Sequence, residues 1–205
     1  MTNTKLTIQE MNRLTTEAFH QAQKLPFVVV LDNVRSRHNV GAVFRTADAF
    51  RMAKVYLCGI CGCPPDAEIH KTALGAEDSM DWTYCKDTLE AVNELHAAGY
   101  SVYAIEQAHN SLTLEAFAKS LTAEGGLTAP AVLQRSAPTG EAGHNGIAVV
   151  LGHEVFGVQQ SVIDACDGCI EIPQYGTKHS LNVSVTAGIV LYTIASKLIS
   201  RFQDL

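Results

Sequence analysis

The 205-residue sequence predicts an α/β fold built on a mostly parallel sheet with helices on both faces. Three observations carry that prediction. Strand-length runs that are apolar throughout or nearly so recur along the chain: FVVVL at 27–31, KVYLC at 54–58, SVYAI at 101–105, IAVVL at 147–151 and CIEI at 169–172. Strands without polar alternation are covered on both sides, as in parallel sheets. Segments of helical period separate these runs, and strands alternating with helices imply right-handed crossovers between parallel neighbours. Finally, short polar segments containing glycine follow three of the runs directly, where an α/β sheet builds its site at the carboxyl edge.

Taken in order, residues 7–24 read as an amphipathic helix. Thr7-x-x-Glu10 forms a capping box, and Met11, Leu14, Ala18 and Ala22 fall at helical spacing. This helix is an appendage, so 1–24 is an N-terminal helical extension and 25–205 a single domain. A strand at 27–31 is followed by a helix from about residue 40 and a strand at 54–58. The helix at 87–98 opens on Asp87-x-x-Glu90 and closes on Gly99. A strand at 100–105 and a short helix at 112–119 follow. Residues 121–146, rich in Gly, Pro, Ala and Thr and without periodicity, read as a long loop. The chain resumes with a strand at 147–151, a helix at 159–165, a strand at 169–172 and a closing helix at 182–202. It shows no internal repeat and no second domain.

With 47% hydrophobic residues the chain can bury a full core. The net charge of -6 argues against a protein that coats nucleic acid non-specifically, because phosphate neutralisation needs clustered cations. One cluster exists: Arg35, Arg37, His38, Arg45, Arg51 and Lys54 fall close together, either a local basic patch or a solvated loop. The longest apolar stretch, 181–200, is interrupted by Asn182, Ser184, Thr186 and Lys197, which a membrane span would tolerate poorly, and no apolar leader opens the sequence. A soluble, cytoplasmic protein is expected. The six cysteines read as reduced thiols. Cys58-x-x-Cys61-x-Cys63 and Cys166-x-x-Cys169 have the spacing of metal-ligand pairs, and ordinary buried cysteines explain them as well.

After the first strand, residues 32–45 contain one glycine, Gly41, so neither the dinucleotide fingerprint nor a P-loop is present and a nicotinamide oxidoreductase is disfavoured. What stands there is cationic: Arg35, Arg37 and His38, then Arg45 early in a helix that Asn39 can cap. Arg45 is placed to grip a phosphodiester or, more plainly, to pair with Asp48. After the fourth run, Glu154 is flanked by Gly152 and Gly157, which permit close backbone approach by a ligand; the carboxylate can take a cation, a hydroxyl or a backbone amide. After the fifth, Ile172-Pro173 sets an extended exit, Gly176 lets the chain turn, and Ser180, Asn182 and Ser184 alternate with apolar residues as the last helix begins. Ser180 is the candidate cap of that helix, and the three groups also offer donors and acceptors to a ligand.

In this order, Asn39-x-Gly41-x-x-x-Arg45 with Ala47, Leu151-Gly152-x-Glu154 with Gly157, and Ile172-Pro173 with Gly176 and Ser180-Leu181-Asn182-Val183-Ser184-Val185 resemble the three motifs of the SpoU (TrmH-like) branch of the SPOUT RNA methyltransferases. The resemblance spans roughly residues 25–202. It implies a C-terminal deep trefoil knot, a homodimer, S-adenosylmethionine as cofactor, and methylation of a ribose 2'-hydroxyl in tRNA or rRNA with no metal. Carried over by position, Arg45, Asn39, Glu154, Ser180 and Asn182 are the catalytic set, and Gly152, Ile172 and Leu181 the cofactor pocket, with Glu106 as a further wall. Arg35, Arg37, His38, Arg45 and Arg51 would bind RNA. A guanidinium does not give up its proton, so Arg45 is expected to bind the adjacent phosphate and stabilise the developing alkoxide. Transfer RNA is the expected substrate because no accessory domain of the ribosomal type is present; ribosomal RNA and a non-catalytic RNA- or cofactor-binding role are the alternatives.

Overall fold

The computed structural model describes residues 3–7, 9–121 and 146–199. Nearly all of the 121–146 segment, and the end of the closing helix expected to reach 202, lie outside the described residues. Strands β1 (Leu25–Asp32), β2 (Met52–Cys58), β3 (Trp82–Cys85), β4 (Tyr100–Ile105), β5 (Leu112–Thr113), β6 (Gly146–Leu151) and β7 (Gly168–Glu171) form one sheet in the order β3-β2-β1-β6-β4-β7-β5. Every pairing in it is parallel.

The central strands pair in strict register, Val29 with Val149, Leu31 with Leu151 and Ala104 with Val150. Alternate residues then enter opposite cores. Phe27, Val29, Leu31, Val149 and Leu151 face one core, and Val28, Val30, Ala148 and Val150 face the other. The first is covered by α2 (Arg37–Ala49), α6 (Leu114–Ser120) and α8 (Val183–Ile199) through Val40, Val43, Phe44, Phe117, Val190, Leu191 and Ile194. The second is covered by α5 (Thr88–Ala97) and α7 (Gln160–Ala165) through Ala91, Val92, Leu95 and Val162. Burial of each such side chain is worth about 1.5–3 kcal/mol, so two-sided coverage is what makes the unbroken apolar strands favourable.

Chain order and sheet order disagree at two places. β6 lies between β1 and β4, and β7 lies between β4 and β5, so each enters a slot whose two neighbours precede it in the chain. The carboxyl ends of β4, β6 and β7 are thereby gathered at one edge.

The predicted helix over 7–24 is mostly absent. Its capping box forms: the Thr7 N–H donates to Glu10 Oε2 at 2.7 Å, and the Glu10 N–H donates to Thr7 Oγ1 at 3.3 Å. Asn12 then adopts a left-handed φ of 47°, and the helix is confined to α1 (Thr16–Gln21), capped by Thr15. Met11 and Leu14 are exposed. Short helices without a packed face do not persist, and among the described residues of this segment only Phe19 reaches the core. The cap expected on residues 182–202 also shifts, as described below. Helices α3 (Ala67–Ala73) and α4 (Ala76–Ser79) and the edge strands β3 and β5 were not expected from the sequence.

No helix among the described residues is long and apolar enough to cross a membrane, and no described group of three or more His, Cys, Asp or Glu could hold a metal ion. The six cysteines form no disulfide, and five of them are buried. Cys61 donates to the Leu31 carbonyl and accepts the Val34 N–H, and burial pushes its thiol up to about 12.

Candidate active site

Beyond the carboxyl ends of β4, β6 and β7 opens a cleft of about 1420 Å³. Its wall after β6 is a tight hairpin. The His153 N–H donates to the Gly157 carbonyl at 3.0 Å and the Gly157 N–H to the His153 carbonyl at 2.9 Å. Gly157 has a φ of +67°, and a Cβ there would lie 2.0 Å from Glu106 Oε2. A Cβ on Gly152 would lie 2.1 Å from the Gly157 carbonyl carbon. These glycines serve the chain's own close approach and also line the cleft. The chain bends at 176–179 as expected for Gly176, which has no left-handed φ and faces open space. Glu106, at the end of β4, accepts from the Val158 N–H at 3.1 Å and the Gln107 N–H at 2.9 Å, so it pins the hairpin base while lining the cleft.

At the cleft mouth the three sequence segments meet. Glu154 accepts from the backbone N–H groups of Arg35 at 3.0 Å and Ser36 at 2.8 Å and from Asn39 Nδ2 at 3.0 Å. Asn39 Oδ1 in turn accepts from Asn182 Nδ2 at 3.4 Å. Burial pushes the Glu154 carboxyl up, but the backbone donors of Arg35, Ser36 and Glu154 itself, with the Asn39 amide, outweigh it and hold the group below the ordinary carboxylate range. The carboxylate is therefore ionised and ties the start of α2 to the exit of β6.

Both helix caps differ from expectation. Ser36, not Asn39, caps α2, its Oγ accepting the Asn39 N–H at 3.4 Å. The helix begins three residues earlier than a cap at 39 would allow, which frees the Asn39 amide for Glu154 and Asn182. Asn182, not Ser180, caps α8: its Oδ1 accepts from the N–H groups of Ser184 at 2.8 Å and Val185 at 3.4 Å and from Ser184 Oγ at 2.5 Å. Ser180 is left exposed on the cleft wall, and it makes no hydrogen bond among the described residues. Gly152, Ile172 and Leu181 line the same cleft.

The cations are dispersed. Arg37 pairs with Asp66 at 2.8 Å and His38 meets Glu68 at 2.9 Å, both acids belonging to the unforeseen α3 and its cap. Arg51 has a left-handed φ of 45° in the turn that enters β2, at the amino edge of the sheet and away from the cleft. Lys54 is held by Tyr56 and Glu94. Arg45 is exposed on α2 and outside the cleft lining; Asp48, its expected partner, instead accepts from Ser79 Oγ. The one-patch expectation is thus corrected: Arg35 and Arg45 are the exposed members without an acidic partner among the described residues.

Two residues outside the expected site also shape the edge. Gln107 Nε2 donates to the His179 carbonyl at 2.7 Å, strapping the 172–182 segment across the cleft. Asp32, fully buried at the end of β1, accepts from Thr88 Oγ1 at 2.6 Å, Asn33 Nδ2 at 2.9 Å, Gln159 N–H at 2.9 Å and Gln159 Nε2 at 3.0 Å. A polar residue closing an apolar run is the signal that could have marked it.

The cleft lining carries the carboxylates Glu106, Glu154, Asp164, Asp167 and Glu171 and neither Lys nor Arg. Its volume exceeds the 300–1,000 Å³ of common ligand pockets, and its charge suits a cationic small molecule rather than a bare polyphosphate.

A family model described as the SpoU rRNA Methylase family matches residues 26–192. The chain belongs to this family. Among similar proteins, the 23S rRNA (guanosine-2'-O-)-methyltransferase RlmB of Pasteurella multocida is 28% identical over 186 residues, 91% of this chain and 66% of that protein. The tRNA (guanosine(18)-2'-O)-methyltransferase of Thermus thermophilus is 28% identical over 186 residues, 89% of this chain and 81% of the relative. Against the RlmB of Nitrosomonas europaea the identity is 32% and the chain spans 54% of its length. The chain thus spans between about half and two thirds of the RlmB relatives from Pasteurella and Nitrosomonas. The A. aeolicus TrmH/SpoU tRNA modifying enzyme shares the fold, with a TM-score of 0.69 at 22% identity over 91% of this chain and 82% of that one. The SpoU methyltransferase AviRb from Streptomyces viridochromogenes in complex with AdoMet also shares it, with a TM-score of 0.66 at 18% identity over 87% and 63% of the two chains.

Proposed function

We propose that this SpoU-family chain is an S-adenosylmethionine-dependent RNA methyltransferase acting on a ribose 2'-hydroxyl, most of all in tRNA. The observation that carries the reading is the meeting of Glu154, Asn39 and Asn182 at the mouth of a cleft whose lining holds five carboxylates and no basic side chain but histidine. Such a lining fits a ligand with a sulfonium and an ammonium group, and Gly152, Ile172, Leu181 and Glu106 are the residues that would hold it. When bound, that cofactor supplies an electrophilic methyl group. The tRNA choice is supported by the larger share of the Thermus tRNA enzyme that the chain spans, 81% against 66% for the Pasteurella rRNA enzyme.

The residues divide the work. Ionised Glu154 fixes the start of α2 and, through Asn39, the start of α8. Ser180, exposed beside Leu181, offers its hydroxyl to the substrate ribose. Arg45 meets the phosphate next to that ribose and stabilises the alkoxide that forms. It cannot do so from its own protomer's cleft, which it does not line.

A homodimer answers this. Along α8, Val185, Ile189 and Tyr192 are 50%, 39% and 61% exposed at i, i+4 and i+7, an apolar stripe on the protein surface. Helix α2 runs beside α8, joined by the Asn39–Asn182 contact at their starts and by the Phe50 and Tyr192 rings 5.9 Å apart further along. Pairing two copies across this face would bury the stripe and carry Arg45 toward the partner subunit. The late insertion of β6 and β7 between earlier strands supports a threaded, trefoil-knotted C-terminal third. Residues 25–205 form the methyltransferase domain with 1–24 as an extension, and the enzyme works in the cytoplasm.

The test is incubation with radiolabelled S-adenosylmethionine and total cellular RNA, followed by fractionation and digestion to nucleosides. Label in 2'-O-methylnucleosides of the tRNA fraction is expected. Label in the ribosomal fraction moves the substrate, and cofactor binding without any transfer refutes the enzyme.

A further inference from the structure

The hairpin after β6 holds large apolar groups out in water. Val155 and Phe156, at its tip, are 70% and 83% exposed. The tip is not loose. Paired hydrogen bonds between His153 and Gly157 close it, and Glu106 holds its base through the Val158 N–H. The His153 ring is oriented by accepting the Val155 N–H on Nδ1 at 3.0 Å, and the Phe156 ring lies 5.0 Å from it at an interplanar angle of 34°. Two aromatic rings therefore lie side by side, one just before Glu154 and the other two positions after it, in the lining of the same cleft as Ser180.

The charge beside them narrows the occupant. Arg35 donates its backbone N–H to Glu154, so its side chain starts next to the tip, exposed and without an acidic partner among the described residues. An occupant with a flat apolar face and adjoining negative charge matches both features, and an unpaired base on its phosphodiester strand is such a group. A second copy of the chain fits less well: the stripe on α8 offers an apolar face, whereas the tip sits on the wall of an acidic, polar-lined cleft.

We propose that Phe156, backed by His153, is a stacking platform for an unpaired base of the RNA strand whose ribose is presented to the cleft. The inference rests on the RNA-methyltransferase reading and adds to it a residue that recognises single-stranded substrate.

The test uses a single-stranded oligoadenylate of roughly ten nucleotides carrying a central 2-aminopurine, whose fluorescence falls on stacking. It is titrated into the full-length protein, Phe156→Ala and Phe156→Tyr. Phe156→Ala should weaken binding roughly 5- to 100-fold and abolish the fluorescence change, while Phe156→Tyr restores both. A duplex of the same length should bind all three alike. Cofactor affinity by calorimetry and the sedimentation coefficient should stay unchanged. The platform is overturned if wild-type protein fails to bind the oligomer, if Phe156→Ala binds it as well as wild type, if cofactor affinity falls instead, or if the dimer dissociates. A wild-type protein that stacks the base through Phe156 but transfers no methyl to any RNA would sink the methyltransferase reading and leave the platform standing. Active enzyme indifferent to Phe156 would do the reverse.

Discussion

Replacing Glu154 by glutamine separates an organising carboxylate from one that takes part in the reaction. The native group accepts three hydrogen bonds, from Arg35 N–H, Ser36 N–H and Asn39 Nδ2. Glutamine of the same shape turns one acceptor oxygen into an NH₂ facing a donor and leaves the remaining bonds neutral. A charged hydrogen bond contributes about 1.5–3 kcal/mol and a neutral one about 0.5–1.5 kcal/mol, so at this half-exposed site the loss is about 2–3 kcal/mol. For a chain of this size that lowers Tm by roughly 4–12 °C. The pH dependence follows from the direction of the shift. The folded-state pKa lies below its ordinary 4.5, so the carboxylate's contribution is complete above the unfolded value and is lost as pH falls through the folded one. Thermal unfolding followed by circular dichroism should show a gap between wild type and Glu154→Gln that is constant from about pH 8 to about pH 5.5 and narrows below about pH 4.5. Equal Tm values at neutral pH, or a gap that persists unchanged in acid, would remove the organising role. Lost methyl transfer without lost stability would then place the carboxylate at the reacting atoms.

Four further substitutions test other parts of the site. Gly152→Ala drives a Cβ to 2.1 Å from the Gly157 backbone, which cannot yield as a side chain can, so it should cost more than about 3 kcal/mol and abolish cofactor binding measured by calorimetry. Asn182→Ala removes the α8 cap and should lower stability by about 1 kcal/mol in urea unfolding, whereas Ser180→Ala should stay within about 0.5 kcal/mol of wild type while slowing methyl transfer. Arg45→Ala should keep cofactor affinity within a few fold and reduce methyl transfer by about 10² or more in a single-turnover assay; full turnover would dispose of its electrostatic role.

The central strands could be read because burial on two faces leaves no polar alternation in FVVVL or IAVVL, and composition alone then implies coverage. The edge strands could not: WTYC and the two residues Leu112 and Thr113 are short and partly exposed, with no pattern to distinguish them from turns. The 7–24 helix was overread because periodicity proposes a helix and only packing keeps it, and Met11 and Leu14 find nothing to pack on. The motif residues were visible by type, but their local roles were not. Ser36 and Asn39 are each chemically able to cap a helix, and the choice between them depends on where Glu154 lies, more than a hundred positions away. The basic patch failed for the same reason: Arg37 and His38 are matched by Asp66 and Glu68 on a helix that the sequence did not announce.

These displaced details sharpen the electrostatic logic of the molecule. Cations near the start of α2 are paired off by α3, the cleft behind them is acidic, and the exposed guanidiniums of Arg35 and Arg45 stand outside its lining. An interior that favours a cation and a rim that favours an anion would each repel the other's ligand if they were mixed. On the proposed function, keeping them apart would let a positively charged cofactor and a polyanionic strand meet without either ligand's site repelling the other. The geometry that separates them within one chain is also what leaves Arg45 short of its own cleft. In the proposed homodimer, supplying it from a second copy across the α8 stripe would preserve the separation and complete the site, which a shift of Arg45 into the acid-lined pocket of its own protomer would not.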